Sequence, residues 1–319
     1  MHGKLILVVL VMVLTGAAAS TPAAAGAAVA QKNGRITFAR VDPALGDWSI
    51  WAANPDGTHQ QRLTRVSSFS SDWSPNGKRI AFDFFDDVGE HVATMAPDGG
   101  HMRQLTFRNG IQGDPKWSPD GRWITYDDSP LVDTDPAFRT SIWVMRANGS
   151  GARQLTRGAF DVEPVFSPDG TRVAFGRITG VNADGVQQEA LYVMNADGSQ
   201  PREIAPASLG VAHPDWSPDG RWIAFTTEPG GPESVLAVHP DGRHLRTVRA
   251  ATADMQFYKP IWSPDGRKML VGCNDLHSHV DKICVMDPNG RNVTVIIDAT
   301  PYDTNGPAWG PHAAARCAS

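Results

Sequence analysis

The chain is short of cysteine, of long apolar stretches and of clustered positive charge, and each shortage removes a class of function. Its 319 residues include three cysteines, Cys273, Cys284 and Cys317, and no two of them stand as Cys-x-x-Cys. That argues against metal binding or redox work by these thiols. The strictly apolar run from Leu5 to Leu14 is too short for a comfortable membrane-spanning helix. Lys and Arg total 29 against 34 Asp and Glu, for a net charge of −5, and the basic residues form neither a run nor a stripe. Nucleic acid is therefore not expected as a partner, because phosphate binding needs clustered Lys and Arg. Recognised catalytic motifs are also missing: there is no Gly-x-Ser-x-Gly elbow, no His-Glu-x-x-His, no phosphate loop and no Gly-x-Gly-x-x-Gly.

The first 30 residues read as a secretory leader. Lys4 precedes the apolar run, and an Ala-rich stretch to Ala30 supplies small residues for cleavage, with Ala28-Val29-Ala30 the preferred site. The expected product is an exported protein, periplasmic or extracellular, with no stable membrane span once the leader is removed. The mature chain, 31–319, is expected to be one domain and a monomer.

One phrase then dominates the chain. It occurs as Trp73-Ser74-Pro75-Asn76-Gly77, Trp117-Ser118-Pro119-Asp120-Gly121, Phe166-Ser167-Pro168-Asp169-Gly170, Trp216-Ser217-Pro218-Asp219-Gly220 and Trp262-Ser263-Pro264-Asp265-Gly266, with a decayed copy at Trp309-Gly310-Pro311. A period in the forties built from β-type segments signals a propeller. Pro, Asp and Gly in this order suit a tight hairpin turn. A second strand follows each turn, for example Ile80-Ala81-Phe82 and Ile223-Ala224-Phe225. A third ends in turns such as Pro97-Asp98-Gly99 and Ala196-Asp197-Gly198. The fourth is Arg103-Gln104-Leu105-Thr106, repeated as Arg153-Gln154-Leu155-Thr156. Arg35 to Phe38 is a second strand with no turn phrase before it, and the missing first strand lies at Pro307-Ala308-Trp309. The expected fold is thus an all-β, six-bladed β-propeller with four-stranded blades, its ring closed by the C-terminal strand joining the N-terminal blade. The repeated tryptophans are read as packing residues between blades.

The turns on one face are short and uniform. The loops on the other are long, variable and acidic, which is where recognition is expected on a rigid scaffold. Asp86, Asp87, Asp127, Asp128, Asp133, Asp135 and Glu228 are the candidate interaction-loop residues. Three residues before each Trp, or the equivalent Phe166, stand Ser70, Asp114, Glu163, His213, Lys259 and Gly306. They should ring the mouth of the central channel. Ser70, Asp114, Glu163, His213 and Lys259 are the candidate ligand-binding set. No cofactor is expected beyond a divalent cation that Asp114, Glu163 and His213 have the donors to hold. Cys273 and Cys284 flank a loop on adjacent strands, and export would let them form a disulfide.

Trp-Ser-Pro-Asp-Gly, with Arg-x-Ile-Ala-Phe, Ile-Trp-Val-Met and Arg-Gln-Leu-Thr, resembles the WD40-like repeat of the TolB propeller family. Trp216 to Phe225 and Leu191 to Ser199 fit it very well. The resemblance implies a propeller working by protein–protein contact in the cell envelope, here without the N-terminal α/β domain of TolB. Similar repeats occur in the propellers of prolyl-oligopeptidase-type peptidases and of oligogalacturonide lyases, whose metal is held by channel histidines. The functional expectation is an exported, non-catalytic propeller that binds a protein or envelope polymer through its long-loop face. The alternative is a metal-assisted polysaccharide lyase or hydrolase acting at the channel mouth.

Overall fold

Each Trp-Ser-Pro-Asp-Gly phrase closes on itself through one serine and one acidic or amide side chain. Ser118 Oγ donates to Asp120 Oδ1 (2.6 Å), Asp120 Oδ1 accepts the Arg122 N–H (3.0 Å), and Ser118 Oγ accepts the Trp123 N–H (2.9 Å). The same three bonds recur around Ser74, Ser167, Ser217 and Ser263. Glycine ends the turn because its φ is positive, near +68° at Gly121 and Gly220. That glycine also faces the preceding repeat's proline: Gly170 meets Pro119, Gly220 meets Pro168 and Gly266 meets Pro218. The turn phrase therefore shapes its own hairpin and spaces it from its neighbour. The Thr of Gln-Leu-Thr has its own task. Thr64, Thr106 and Thr156 each accept the N–H of a third-strand residue, Ile50, Val92 and Ile142, which anchors a very short outer strand.

A computed structural model describes residues 33–130, 139–183, 185–227 and 230–311. The expected leader and Cys317 lie outside the described residues. In chain order the strands are β1 (Asn33–Asp42), β2 (Asp47–Ala53), β3 (Gln61–Arg62), β4 (Ser68–Trp73), β5 (Ile80–Asp86), β6 (Gly89–Met95), β7 (Arg103–Gln104) and β8 (Gly110–Trp117). Next come β9 (Trp123–Ser129), β10 (Ser141–Arg146), β11 (Arg153–Gln154), β12 (Phe160–Phe166), β13 (Arg172–Val181), β14 (Gln187–Asn195), β15 (Arg202–Ala205) and β16 (Val211–Trp216). The last are β17 (Ile223–Thr227), β18 (Ser234–Val238), β19 (Arg246–Arg249), β20 (Met255–Trp262), β21 (Met269–Asp275), β22 (Asp281–Met286), β23 (Thr294–Ile297) and β24 (Thr304–Pro311). A single 3-10 turn, Ala207–Leu209, is the only helical element among the described residues.

These strands correct the expectation of a six-bladed ring of separate four-stranded sheets. Four sheets stand as separate four-stranded blades: β24-β1-β2-β3, β12-β13-β14-β15, β16-β17-β18-β19 and β20-β21-β22-β23. The strands from β4 to β11 form instead one eight-stranded sheet, in which β6 pairs with β8 in parallel through Gly89↔Gly110 and Glu90↔Ile111. The reason is backbone access. Gly89 and Gly110 adopt φ of +148° and +144°, and a Cβ on Gly89 would lie 2.1 Å from the Gly110 carbonyl oxygen. Two glycines let the chains touch where side chains would hold them apart.

The ring closes where β24 pairs antiparallel with β1, through Ile36↔Trp309, Thr37↔Ala308 and Arg40↔Thr304. Apolar packing follows the ring rather than staying within one sheet. Ile36, Phe38 and Ala53 form a buried cluster with Leu270, Ile283 and Ile297 across the closure. Val165, Leu191 and Ile204 pack with Trp216, Ile223 and Phe225 of the next blade. Trp73, Trp216 and Trp262 are buried between blades, and Arg172 lies 4.9 Å over the Trp216 ring. Cys273 and Cys284 form a disulfide between β21 and β22, with Cα atoms 5.9 Å apart.

Two outcomes follow from this packing. Replacing Cys273 and Cys284 with serine should lower stability by about 3 kcal/mol, the expected effect of releasing so short a loop, read as a shift in urea midpoint. Gly89→Val should cost roughly 2–4 kcal/mol and speed hydrogen exchange at Glu90, Gly110 and Ile111, because the parallel bridge cannot form around a side chain. Unchanged exchange there would mean that the bridge contributes nothing.

Candidate functional site: the channel mouth

Every inner strand slips register beside the channel mouth. The slips fall between Ser68 and Ser71, Gly113 and Lys116, Val162 and Val165, Ala212 and Asp215, Tyr258 and Ile261, and, opposite β24, between Thr37 and Ala39. Such bulges re-aim a side chain without ending the strand. At the slip, Asp114, Glu163, His213, Lys259 and Gly306 all take left-handed backbone, with φ of 47°, 53°, 54°, 46° and 56°. Four are not glycine, so the conformation is held by its surroundings at some energetic cost. Each is followed by proline, which has no N–H to leave unpaired at the slip. Ser70 is the exception, with Ser71 after it and no left-handed turn.

The bulges bring the whole expected ring together. Ser70, Asp114, Glu163, His213, Lys259 and Gly306 line one cavity of about 50 Å³, joined by Ser71, Lys116, Pro214, Ile261 and Pro307. Within it the groups pair locally. Ser70 Oγ donates to Asp114 Oδ1 (2.7 Å). His213 Nδ1 lies 2.5 Å from Glu163 Oε1, and the His213 backbone N–H also donates to Glu163. Lys259 Nζ sits 4.8 Å above the Phe69 ring, which meets Trp48 edge-on.

A second circle of residues, not anticipated from the sequence, supports the first. Asp83 accepts the N–H groups of Phe69 (3.0 Å) and Ser70 (2.8 Å), and more distantly that of Asp114 (3.4 Å). Asp127 accepts the Glu163 N–H (3.3 Å), and Thr226 Oγ1 accepts that of Lys259 (2.8 Å). All three stand directly after the second strand's aromatic residue, Phe82, Tyr126 or Phe225. That fixed offset was the available signal. Glu90, from β6, completes a buried acidic cluster against Asp83, Asp114 and Asp127.

Burial and mutual repulsion decide the charges here. Burial, reinforced by the Asp114 charge, pushes Asp83 up to about 6. Burial and then Asp83, Asp114 and Asp127 push Glu90 up to about 10. Burial and the Asp114 charge hold Asp127 well above the ordinary carboxylate range. Glu163 goes the other way: burial opposes its charge, but His213 and Lys259 outweigh it and hold the group down at about 2. One tier deeper, Asp72 and Asp215 accept the N–H groups of Trp117 (2.8 Å) and Trp262 (2.7 Å). Burial raises both, Asp215 to about 7, with Lys116 opposing. The mouth is thus divided, with Asp83, Glu90, Asp114 and Asp127 crowded on the eight-stranded sheet, which also carries Lys116, and His213 and Lys259 on the separate blades of β16 and β20.

The interaction-loop set divides as well. Asp86 and Asp87 are exposed at the β5–β6 hairpin tip. Asp127 and Asp128 are a correction: they are 7% and 4% exposed and belong to β9, not to a loop. Pairing of Asp127 with Ile142 and of Asp128 with Ser141 extends the strand, and Arg108 meets Asp128 at 2.5 Å. Asp133, Asp135 and Glu228 lie outside the described residues. Among the described residues, no group of three or more His, Cys, Asp or Glu side chains is placed to hold a metal ion. No helix there is long and apolar enough to cross a membrane.

Ring, channel and sheet order define a β-propeller with a polar, charge-divided channel. Residues 33–180 match the TolB beta propeller domain. An uncharacterized protein of Agrobacterium fabrum is 30% identical over 104 residues, 33% of each chain. A Tol-Pal system protein TolB of Anaeromyxobacter dehalogenans is 33% identical over 114 residues, 35% of this chain and 24% of that one. The aligned stretches thus span a third or less of these relatives. The crystal structure of TolB from Acinetobacter baumannii superposes with a TM-score of 0.72 at 21% identity, covering 87% of this chain and 67% of that one. Over residues 33–180 the chain is thus similar to the TolB beta propeller domain, and its fold is similar to that of the TolB structure.

The buried acids generate a pH dependence. Between the ordinary carboxylate value and about pH 6, the unfolded chain has lost the Asp83 proton while the folded chain keeps it. This group's contribution to stability therefore falls as pH rises through that window. Asp83→Asn, which keeps an acceptor for Phe69 and Ser70, should flatten the slope and raise stability at pH 8 by on the order of 1–2 kcal/mol. Urea melts at pH 4.5 and pH 8 test this. Equal losses at both would show that Asp83 acts as a charged hydrogen-bond acceptor throughout.

Proposed function

We propose that this chain is an exported, monomeric, non-catalytic propeller that holds a partner protein against its long-loop face, with the channel mouth at the centre of contact. The observation that carries this reading is the strained ring. Five of the six ring positions are left-handed, four of them at residues other than glycine, and all six line a single cavity. The opposite face consists of repeated turns whose polar groups are satisfied internally. Strain retained at one face of an otherwise regular scaffold favours a working site there. The secretory leader supports export, and the Cys273–Cys284 disulfide suits an oxidising compartment. A partner protein is preferred over an envelope polymer because the TolB relatives carry the name of a Tol-Pal system protein.

Metal-assisted lyase or hydrolase chemistry is the less favoured reading. Glu163 and His213 are engaged with each other, and Asp114 takes the Ser70 hydroxyl. Among the described residues, no three His, Cys, Asp or Glu side chains converge on one point to hold a cation.

The test is site-specific photo-crosslinking in the native host. A photoreactive residue at Asp87 or Ser70, on the long-loop face, should give a discrete protein adduct. The same residue at Asp197 or Asn148, in the uniform turns, should give none. Adducts confined to the turn positions would reverse the assignment of the working face.

A further inference from the structure

The eight-stranded sheet carries an apolar surface that folding does not use. Phe107 is 73% exposed, and Val66, Phe85, Val88 and Ile111 are also exposed. They come from two crossovers, the β5–β6 hairpin tip and the start of β8, and backbone contacts gather these segments. The Phe85 N–H donates to the Ser67 carbonyl (2.9 Å), which ties the hairpin tip to the segment holding Val66. The Gly89↔Gly110 and Glu90↔Ile111 bridge joins the same hairpin to β8, three residues beyond Phe107.

Nothing in the repeat asks for an aromatic residue at Phe107. It follows Leu105-Thr106, both buried, and the same position in the flanking repeats holds Arg65 after Leu63-Thr64 and Arg157 after Leu155-Thr156. A polar residue thus serves the fold there twice. Clustered apolar groups on a soluble surface mark interaction sites, and large aromatic side chains contribute disproportionately to binding.

The charge beside this surface points to the partner's chemistry. Asp86 and Asp87 separate Phe85 from Val88 at the exposed tip. Of the cations in these segments, Arg108 is already committed to Asp128, and Arg65 precedes Val66. Apolar groups interleaved with carboxylates complement a segment of the opposite sign. We infer that this rim docks a partner-protein segment that combines aromatic or aliphatic side chains with Lys or Arg. The apolar groups seat on Phe107, Val88 and Phe85, and the cation faces Asp86 and Asp87. The inference rests on the reading of the long-loop face as the binding face and specifies what that face takes.

The test uses the full folded protein and a phage library of random twelve-residue peptides. Selected peptides should be enriched in aromatic or aliphatic residues together with Lys or Arg. By fluorescence anisotropy, the best of them should bind Phe107→Ser and Val88→Ser about tenfold or more weakly than the parent, with unchanged melting. Asp87→Lys should weaken binding too, and added salt should mimic that loss. Peptides that bind these variants normally but lose affinity for Lys259→Ala would overturn the rim while leaving the long-loop face intact. Affinity lost only in Asp197→Lys would overturn both. Enrichment of acidic peptides, or of none, would refute the stated chemistry.

Discussion

The pairing of β24 with β1 is the contact on which everything else in this molecule depends. A propeller blade has two apolar faces and cannot bury both alone. Each face here is covered by a neighbour, and the last uncovered face is removed only when Thr304–Pro311 joins the first sheet. The cluster of Ile36 and Phe38 with Leu270 and Ile283 exists only across that junction. Closure also positions the site. Gly306 stands on the closing strand and is part of the cavity wall, so an open ring would leave the mouth incomplete.

Within that frame, regularity and irregularity have been kept apart. One serine and one acidic or amide side chain satisfy each turn on one face, and prolines space successive turns. On the other face the same strands bulge, turn left-handed and present unlike side chains. A buried acidic cluster lies beneath one half of the mouth and cationic groups line the other. The opposing charges act over short distances in a partly dry space, where they matter more than on an open surface.

Much of this was legible in the sequence, because repetition converts position into geometry. The offset of three residues before Trp73, Trp117, Trp216 and Trp262 was enough to place Ser70, Asp114, His213 and Lys259 at one mouth. The fused sheet was not legible, since it depends on two glycine backbones rather than on spacing. Asp127 and Asp128 misled because Asp-Asp-Ser-Pro has the composition of a loop. Pairing with Ser141 and Ile142 made it the end of a buried strand instead. Glu90 reads as one more acid of the long loops, and its place in the cluster was hidden because it reaches there from a hairpin that no repeat phrase marks.

The prolines behind the ring have a wider consequence. Five of the six mouth residues are followed by proline, which has no N–H, and the amides of Asp114, Glu163 and Lys259 are capped from a neighbouring strand, so the backbone at those slips does not call on the residue's own side chain. Its chemical identity is then free to vary while the scaffold stays constant. Acid, imidazole, amine and hydrogen occupy equivalent places in this one chain at Glu163, His213, Lys259 and Gly306. A lineage built this way can change what it recognises by exchanging single residues at the mouth, without first acquiring stability elsewhere.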